Sequence, residues 1–209
     1  MQTSPRFYRS RVWSYIQSNR VDKAIAYMEE VLTKDNQQRN TYLGYLYLQI
    51  KNEAKAIELL ENGYKQVEVE GMNSTASVGI YYLYGEALIR VGQIEKGTEI
   101  MKKQIPVYNK MLRSKQTLDF PFIYYQSMVL YATLGNYEKA YDYLEKFEAA
   151  NGWLFWDGMV SFAKIDTQID FFREDSHFKA SLERGEKQIE DIQKQIRPYL
   201  TATLPPKTD

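Results

Sequence analysis

"TYLGYLYLQIKNEAKAIELLENG", Thr41 to Gly63, decides the fold. Tyr47 follows Gly44 by three residues, Ala56 follows Gly44 by twelve, and Leu60 follows Ala56 by four. Steps of three and four place residues on one helical face, whereas the step of twelve crosses a short turn. The same offsets return in three other places: Val12, Tyr15, Ala24 and Met28; Gly85, Leu88, Gly97 and Met101; Met128, Tyr131, Ala140 and Leu144. Each unit reads as an antiparallel helical hairpin. A small residue opening the second helix lets the pair approach, and a bulky one a turn later fills the groove between them. Asn19, Lys51, Gly92 and Gly135 fall where each first helix ends, a place where Gly or Asn takes a left-handed backbone. The spacing predicts helices at 7–20, 22–35, 38–51, 54–67, 78–91, 94–113, 122–134 and 137–150.

The offsets, with "YYLYGEALIRVGQIEKGTEIM" and "FIYYQSMVLYATLGNYEKAYDYLEKF" beside the opening phrase, resemble the tetratricopeptide repeat (TPR) family. The first unit departs most, having Arg11 and Val12 where the family usually has Leu-Gly, and none of the four has the family's closing proline. The interval between units is also irregular. Ala24 to Ala56 is 32 residues, Ala56 to Gly97 is 41 and Gly97 to Ala140 is 43, against about 34 in a regular array. The surplus falls in 67–77, read as a loop, and in 109–121, read as a lengthened helix turning at Asp119-Phe120-Pro121.

After residue 150 the repeat stops, which divides the chain into four hairpins (1–150), a C-terminal helical extension or cap (151–200) and a disordered tail (201–209). Apolar residues at 153, 156, 159, 160 and 163 predict a ninth helix. The run Ile169-Asp170-Phe171-Phe172-Arg173, with Asp175, Phe178 and Leu182, resembles the tail closing TPR regions of bacterial multidomain regulatory proteins. From about 176 to 198, Phe178, Leu182, Gly185, Ile189, Ile192, Ile196 and Tyr199 form a heptad stripe with a glycine gap. Such a stripe either caps the open end of the solenoid or joins two chains in a homodimer through 178–199.

Composition narrows the function. Among 209 residues, 27 Lys plus Arg balance 27 Asp plus Glu, so the chain lacks the field that draws proteins to nucleic acid or anionic membrane. With no cysteine and one histidine, disulfides, thiolate catalysis and zinc sites built on paired histidines are excluded. No stretch has the length of a membrane span, and the N-terminus shows no apolar signal segment; the expectation is a cytoplasmic protein. His177 beside Asp175 reads as a surface residue, and Asp166, Asp170 and Glu174 as a solvated acidic face. Neither a Walker loop nor a dinucleotide-type glycine motif is present. The chain reads as a non-enzyme with no metal and no cofactor.

In TPR proteins the first helix of each hairpin lines a concave surface that takes a peptide or helix, and the resemblance implies the same here. The inward positions are then Arg9 and Trp13; Tyr45 and Gln49; Tyr82, Glu86 and Arg90; Tyr125 and Val129. The groove so drawn is aromatic and aliphatic with isolated charges, which suits an apolar or helical segment of a partner protein better than a terminal carboxylate. The resemblance therefore implies an all-α TPR-like α-solenoid with a C-terminal capping helix, acting as a protein-interaction scaffold and forming the C-terminal regulatory part of a larger bacterial protein. The alternatives are a small-ligand sensor, an oligomerisation module, or aromatic residues that only pack between hairpins or against the chain's own last helix.

Overall fold

The structure is a computed structural model that describes residues 5–33, 37–71, 79–114, 120–154 and 158–202. Four helical pairs follow one another: α1 (Pro5–Gln17) with α2 (Val21–Val31), α3 (Gln37–Gln49) with α4 (Glu53–Glu70), α5 (Ile80–Arg90) with α6 (Ile94–Lys102), and α8 (Phe120–Thr133) with α9 (Tyr137–Ala149). α7 (Gln104–Ser114) stands between the third and fourth pairs. No strand occurs among the described residues. The fold is an all-α solenoid of TPR-like hairpins.

The four hairpin turns are chemically one turn. Asn19, Lys51, Gly92 and Gly135 take φ of 54°, 57°, 85° and 73°. In every case the next N–H reaches back to the carbonyl of Tyr15, Tyr47, Leu88 or Tyr131, at 2.8 or 2.9 Å. This double closure satisfies carbonyls left over at a helix end and reverses the chain within three residues. The offset of twelve follows from it. Ala24, Ala56, Gly97 and Ala140 are fully buried at the helix crossing, and Met28, Leu60, Met101 and Leu144 fill the space one turn on. At the third crossing backbone meets backbone: a Cβ on Gly85 would lie 2.5 Å from the Gly97 carbonyl oxygen.

Several boundaries differ from the sequence expectation. The helix expected over 94–113 is two, α6 and α7, with the break at Lys103. Pro106 accounts for it, since it has no N–H to donate and its ring opposes the carbonyl of Lys102 four residues back. α4 runs on to Glu70, into residues expected to form a loop, and α8 already begins at Phe120 with Pro121 in its first turn. A proline is tolerated there because first-turn N–H groups have no partner inside the helix. Residues 72–78, 115–119, 155–157 and 203–209 lie outside the described residues, and with them most of the expected 67–77 loop, Asp119 and the apolar position at 156.

The helix expected around 153–163 is also divided. A 3₁₀ turn (Gly152–Leu154) comes first and α10 (Met159–Ile165) follows; a second 3₁₀ turn (Thr167–Ile169) then leads to α11 (Ser176–Ala202). The first half of α11 packs on α9 and on the Gly152–Leu154 turn. The glycine gap in its stripe is a notch for Trp153, whose indole lies where a Cβ of Gly185 would stand and donates to Ser181 Oγ at 3.1 Å. Beyond Ile189 the helix extends away, and Ile192, Ile196 and Tyr199 are 40%, 46% and 76% exposed.

Candidate functional site: the inner face and its occupant

One side of each first helix meets the C-terminal segment. The chain's own α10 and the Thr167–Ile169 turn lie on it. Trp13 on α1 meets Phe162 of α10 edge to face, with ring centroids 4.9 Å apart, and Tyr125 on α8 packs on the same Phe162. Trp13 also approaches Tyr45 on α3, at 6.2 Å between centroids. Tyr45, Tyr82, Tyr125 and Val129 are all buried. Arg9 belongs to α1, but its side chain lies outside those described.

Polar residues hold the occupant through its main chain. Gln49 at the end of α3 accepts the N–H of Thr167 at 3.2 Å and donates from Nε2 to Asp166 Oδ1 at 3.2 Å. Arg90 closes α5 and donates to the carbonyls of Leu48 (3.2 Å) and Thr167 (3.1 Å) and to Thr167 Oγ1 (3.3 Å). Glu86, one turn earlier, pairs with Arg90 at 2.5 Å and accepts from Gln168 Nε2 at 2.6 Å. Burial by itself would lower the Arg90 pKa, and the adjoining Glu86 carboxylate turns the shift upward. The guanidinium is therefore a fixed charge whose five donors suit main-chain carbonyls.

Asp166 is the unusual member. It is 1% exposed, and among the described residues no cation pairs with its carboxylate. The hydroxyl of Tyr125 lies at 3.4 Å, and the Gln168 N–H donates to Oδ1 at 3.2 Å, closing an Asx-type turn. Burial raises its pKa to about 7, with Glu86 adding to the rise and the Gln168, Gln49 and Tyr125 hydrogen bonds opposing it. Tyr45 and Tyr82 face the same acids; their hydroxyl pKa values are pushed well up, first by burial and then by those charges. The Tyr45 hydroxyl is buried with no hydrogen-bond partner.

Arg173 ties the far side of the segment, donating to the carbonyls of Ala163 (2.7 Å), Lys164 and Asp166 (2.8 Å) and to Asp170 Oδ1 (2.8 Å). The tail cadence thus has a physical meaning. Ile169, Phe172 and Phe178 are core residues, Arg173 fastens α10 to the turn, and Asp175 caps α11 by accepting the N–H groups of His177 and Phe178. The expectation of a solvated acidic face over 166–174 is corrected. Asp166 is buried, whereas Asp170 is exposed and paired with Arg173. His177 stacks on Tyr141 with ring centroids 4.2 Å apart. Among the described residues, no group of three or more His, Cys, Asp or Glu could hold a metal ion, and no helix is long and apolar enough to cross a membrane.

Spacing within the first helices points to Gln49, Glu86 and Arg90, and the structure brings them together. Asp166, Thr167, Gln168 and Arg173 escape it because they follow no repeat. A signal was nonetheless there: Asp166 stands between Ile165 and Ile169 in an apolar cadence, which is a costly place for an acid unless it has a task.

No family model matches the chain, and no curated protein matches it. Among solved structures, it is similar to a kinesin light chain-like protein of Podosopora anserina with nearly identical TPR-like repeats. That match has 16% identity and a TM-score of 0.48, and covers 92% of this chain and 96% of the other. A MamA structure matches at 20% identity with a TM-score of 0.40, covering 87% of this chain and 95% of that one. The fold assignment rests on the hairpins themselves, with their common turn and common crossing.

Proposed function

We propose that the chain is a non-enzymatic interaction scaffold whose inner face binds a peptide or helical segment of a partner protein. One observation carries this reading: Gln49 and Arg90, from two different hairpins, hold both the N–H and the carbonyl of a single residue, Thr167. A surface that grips main-chain groups from side chains recognises peptide as peptide. Trp13, Tyr45, Tyr82, Tyr125 and Val129 supply apolar walls and Glu86 a fixed acceptor, with Arg9 on the α1 side. Pre-formed helices offer these groups at little ordering cost.

A displayed random-peptide library selected on the full chain tests the reading. The expected result is a set of peptides whose binding falls at least tenfold with Gln49→Ala and is unchanged by Lys96→Ala on the outside of α6. Peptides that bind without regard to Gln49, or no enrichment at all, would overturn it.

A second reading has its own support in the exposed Ile192, Ile196 and Tyr199 stripe of α11. Self-association through that stripe predicts a dimer by light scattering that becomes a folded monomer with Ile192→Asp and Ile196→Asp together. A monomeric parent chain would remove the reading.

A further inference from the structure

The occupant of the inner face is not a structural continuation of the repeats. Residues 166–168 lie in a short turn between α10 and α11 that packs on α3 and forms no hairpin of its own. Each of the three is nevertheless held by side chains of the hairpins, with Gln49 shared by the first two. The Asp166 carboxyl lies between Gln49 Nε2 and the Tyr125 hydroxyl. The Thr167 main chain spans Gln49 and Arg90. The Gln168 carboxamide reaches Glu86.

These receptor groups are costly to keep. A buried Glu–Arg pair is often no more stabilising than apolar residues of the same volume, so stability alone gives little reason to have one here. The hairpin crossings do not need it, being made by Gly, Ala, Met and Leu. The fit is also incomplete. Tyr45 is 9% exposed, its hydroxyl feels the charges of Asp166, Glu86 and Arg90, and it finds no hydrogen-bond partner in the chain's own turn. A different occupant can satisfy that hydroxyl and so bind better than the resident one.

We propose that the inner face of α3, α5 and α8 is a receptor for a short Asp-x-Gln peptide motif, and that residues 166–168 are a built-in copy covering it until a partner segment with that motif displaces them. The inference rests on the scaffold reading and specifies its ligand. The aspartate is set by Gln49 and Tyr125, and the glutamine by Glu86. The middle residue is read through its main chain and, when it carries a hydroxyl, by Arg90 as well. Displacement removes three consecutive residues from one side of the array and leaves the four hairpin crossings intact.

The test uses the full chain carrying Asp166→Ala and Gln168→Ala, which removes the built-in motif and leaves the receptor groups in place. The probe is a labelled synthetic peptide of residues 162–173, FAKIDTQIDFFR, followed by fluorescence anisotropy. The double variant is expected to bind it at least tenfold more tightly than the parent chain, which competes with itself. Adding Gln49→Leu should abolish binding, and a control peptide with both motif residues changed to alanine should not bind. A double variant of parental helicity that ignores the peptide, or binds the control equally, overturns the proposal.

Should the double variant not fold, amide exchange in the parent chain decides. Opening of 166–169 at lower free energy than the hairpins supports a displaceable cover, and exchange of both only through global unfolding overturns it. Library peptides that depend on Gln49 but lack the motif would retain the scaffold reading and reject the motif. No Gln49-dependent peptide at all would reject both.

Discussion

Gly44 and Gly85 hold the same place in successive hairpins and meet different neighbours. A Cβ on Gly44 would meet only the Leu60 side chain, whereas one on Gly85 would meet the Gly97 carbonyl oxygen and the Met101 main-chain nitrogen, at 2.5 and 2.9 Å. A side chain can shift and a helix backbone cannot do so cheaply. Gly85→Ala should therefore cost about 2–3 kcal/mol by overpacking, and Gly44→Ala distinctly less; urea midpoints of the two variants check the order. Asp166 carries the second residue-scale expectation. It is faced by Gln49 and Tyr45 from α3, by Tyr82 and Glu86 from α5 and by Tyr125 from α8, while Arg173 bonds its main-chain carbonyl. Its pKa rises from 3.8 to about 7 on folding, so between those values the folded state holds a proton that the unfolded state has released. The associated stability is fully present below the unfolded value and is lost as pH rises through about 7, by on the order of 4 kcal/mol. Asp166→Asn should flatten this part of the stability profile. A variant whose urea midpoint falls between pH 5 and pH 8 as steeply as the parent's would place the carboxyl in contact with solvent.

At the scale of the element, the second helices begin unequally. Asn52 and Asn136 accept the N–H of Lys55 and Lys139 at 3.2 Å, and so cap α4 and α9. Arg20 and Gln93 occupy the same position before α2 and α6 without a capping bond. Asn52→Ala and Asn136→Ala should each cost about 1 kcal/mol, and Gln93→Asn should recover a similar amount; thermal melts of the three variants are the check. Elements are also where sequence and structure part most visibly. The four crossings and the four turns were readable because each recurs at a constant offset, so one unit's ambiguity is resolved by the others. α7 and the Thr167–Ile169 turn occur once, and for them only local rules apply. Pro106 was the local sign of the break before α7. The burial of Asp166 had only the faint sign of the isoleucines on either side, because it depends on Gln49 and Tyr125, which lie far away in sequence. For the same reason Gln49, Glu86 and Arg90 stand at repeat positions, while the turn they hold follows no repeat.

At the scale of the molecule, the inner face joins what an open array would leave separate. Arg90 holds the end of α3 through Leu48 and the C-terminal segment through Thr167, and its loss leaves Glu86 buried without a cation. Arg90→Ala should destabilise the chain by about 3–5 kcal/mol. Lysine should restore the charge but not the fork of contacts, so Arg90→Lys is expected to fall between the two; chemical denaturation orders the three chains. In a simple solenoid each repeat touches its neighbours alone, and the ends fray independently of the middle. Here the bonds from Gln49 and Arg90 to the 166–167 turn span 117 and 77 residues of sequence, so opening one end loosens the other. That closure also has a direction in time. In a chain made from its N-terminus, all four hairpins precede the residues that cover them. During synthesis the inner face is thus open to outside segments with nothing to displace, and each new molecule passes through a receptive interval before its own cover arrives.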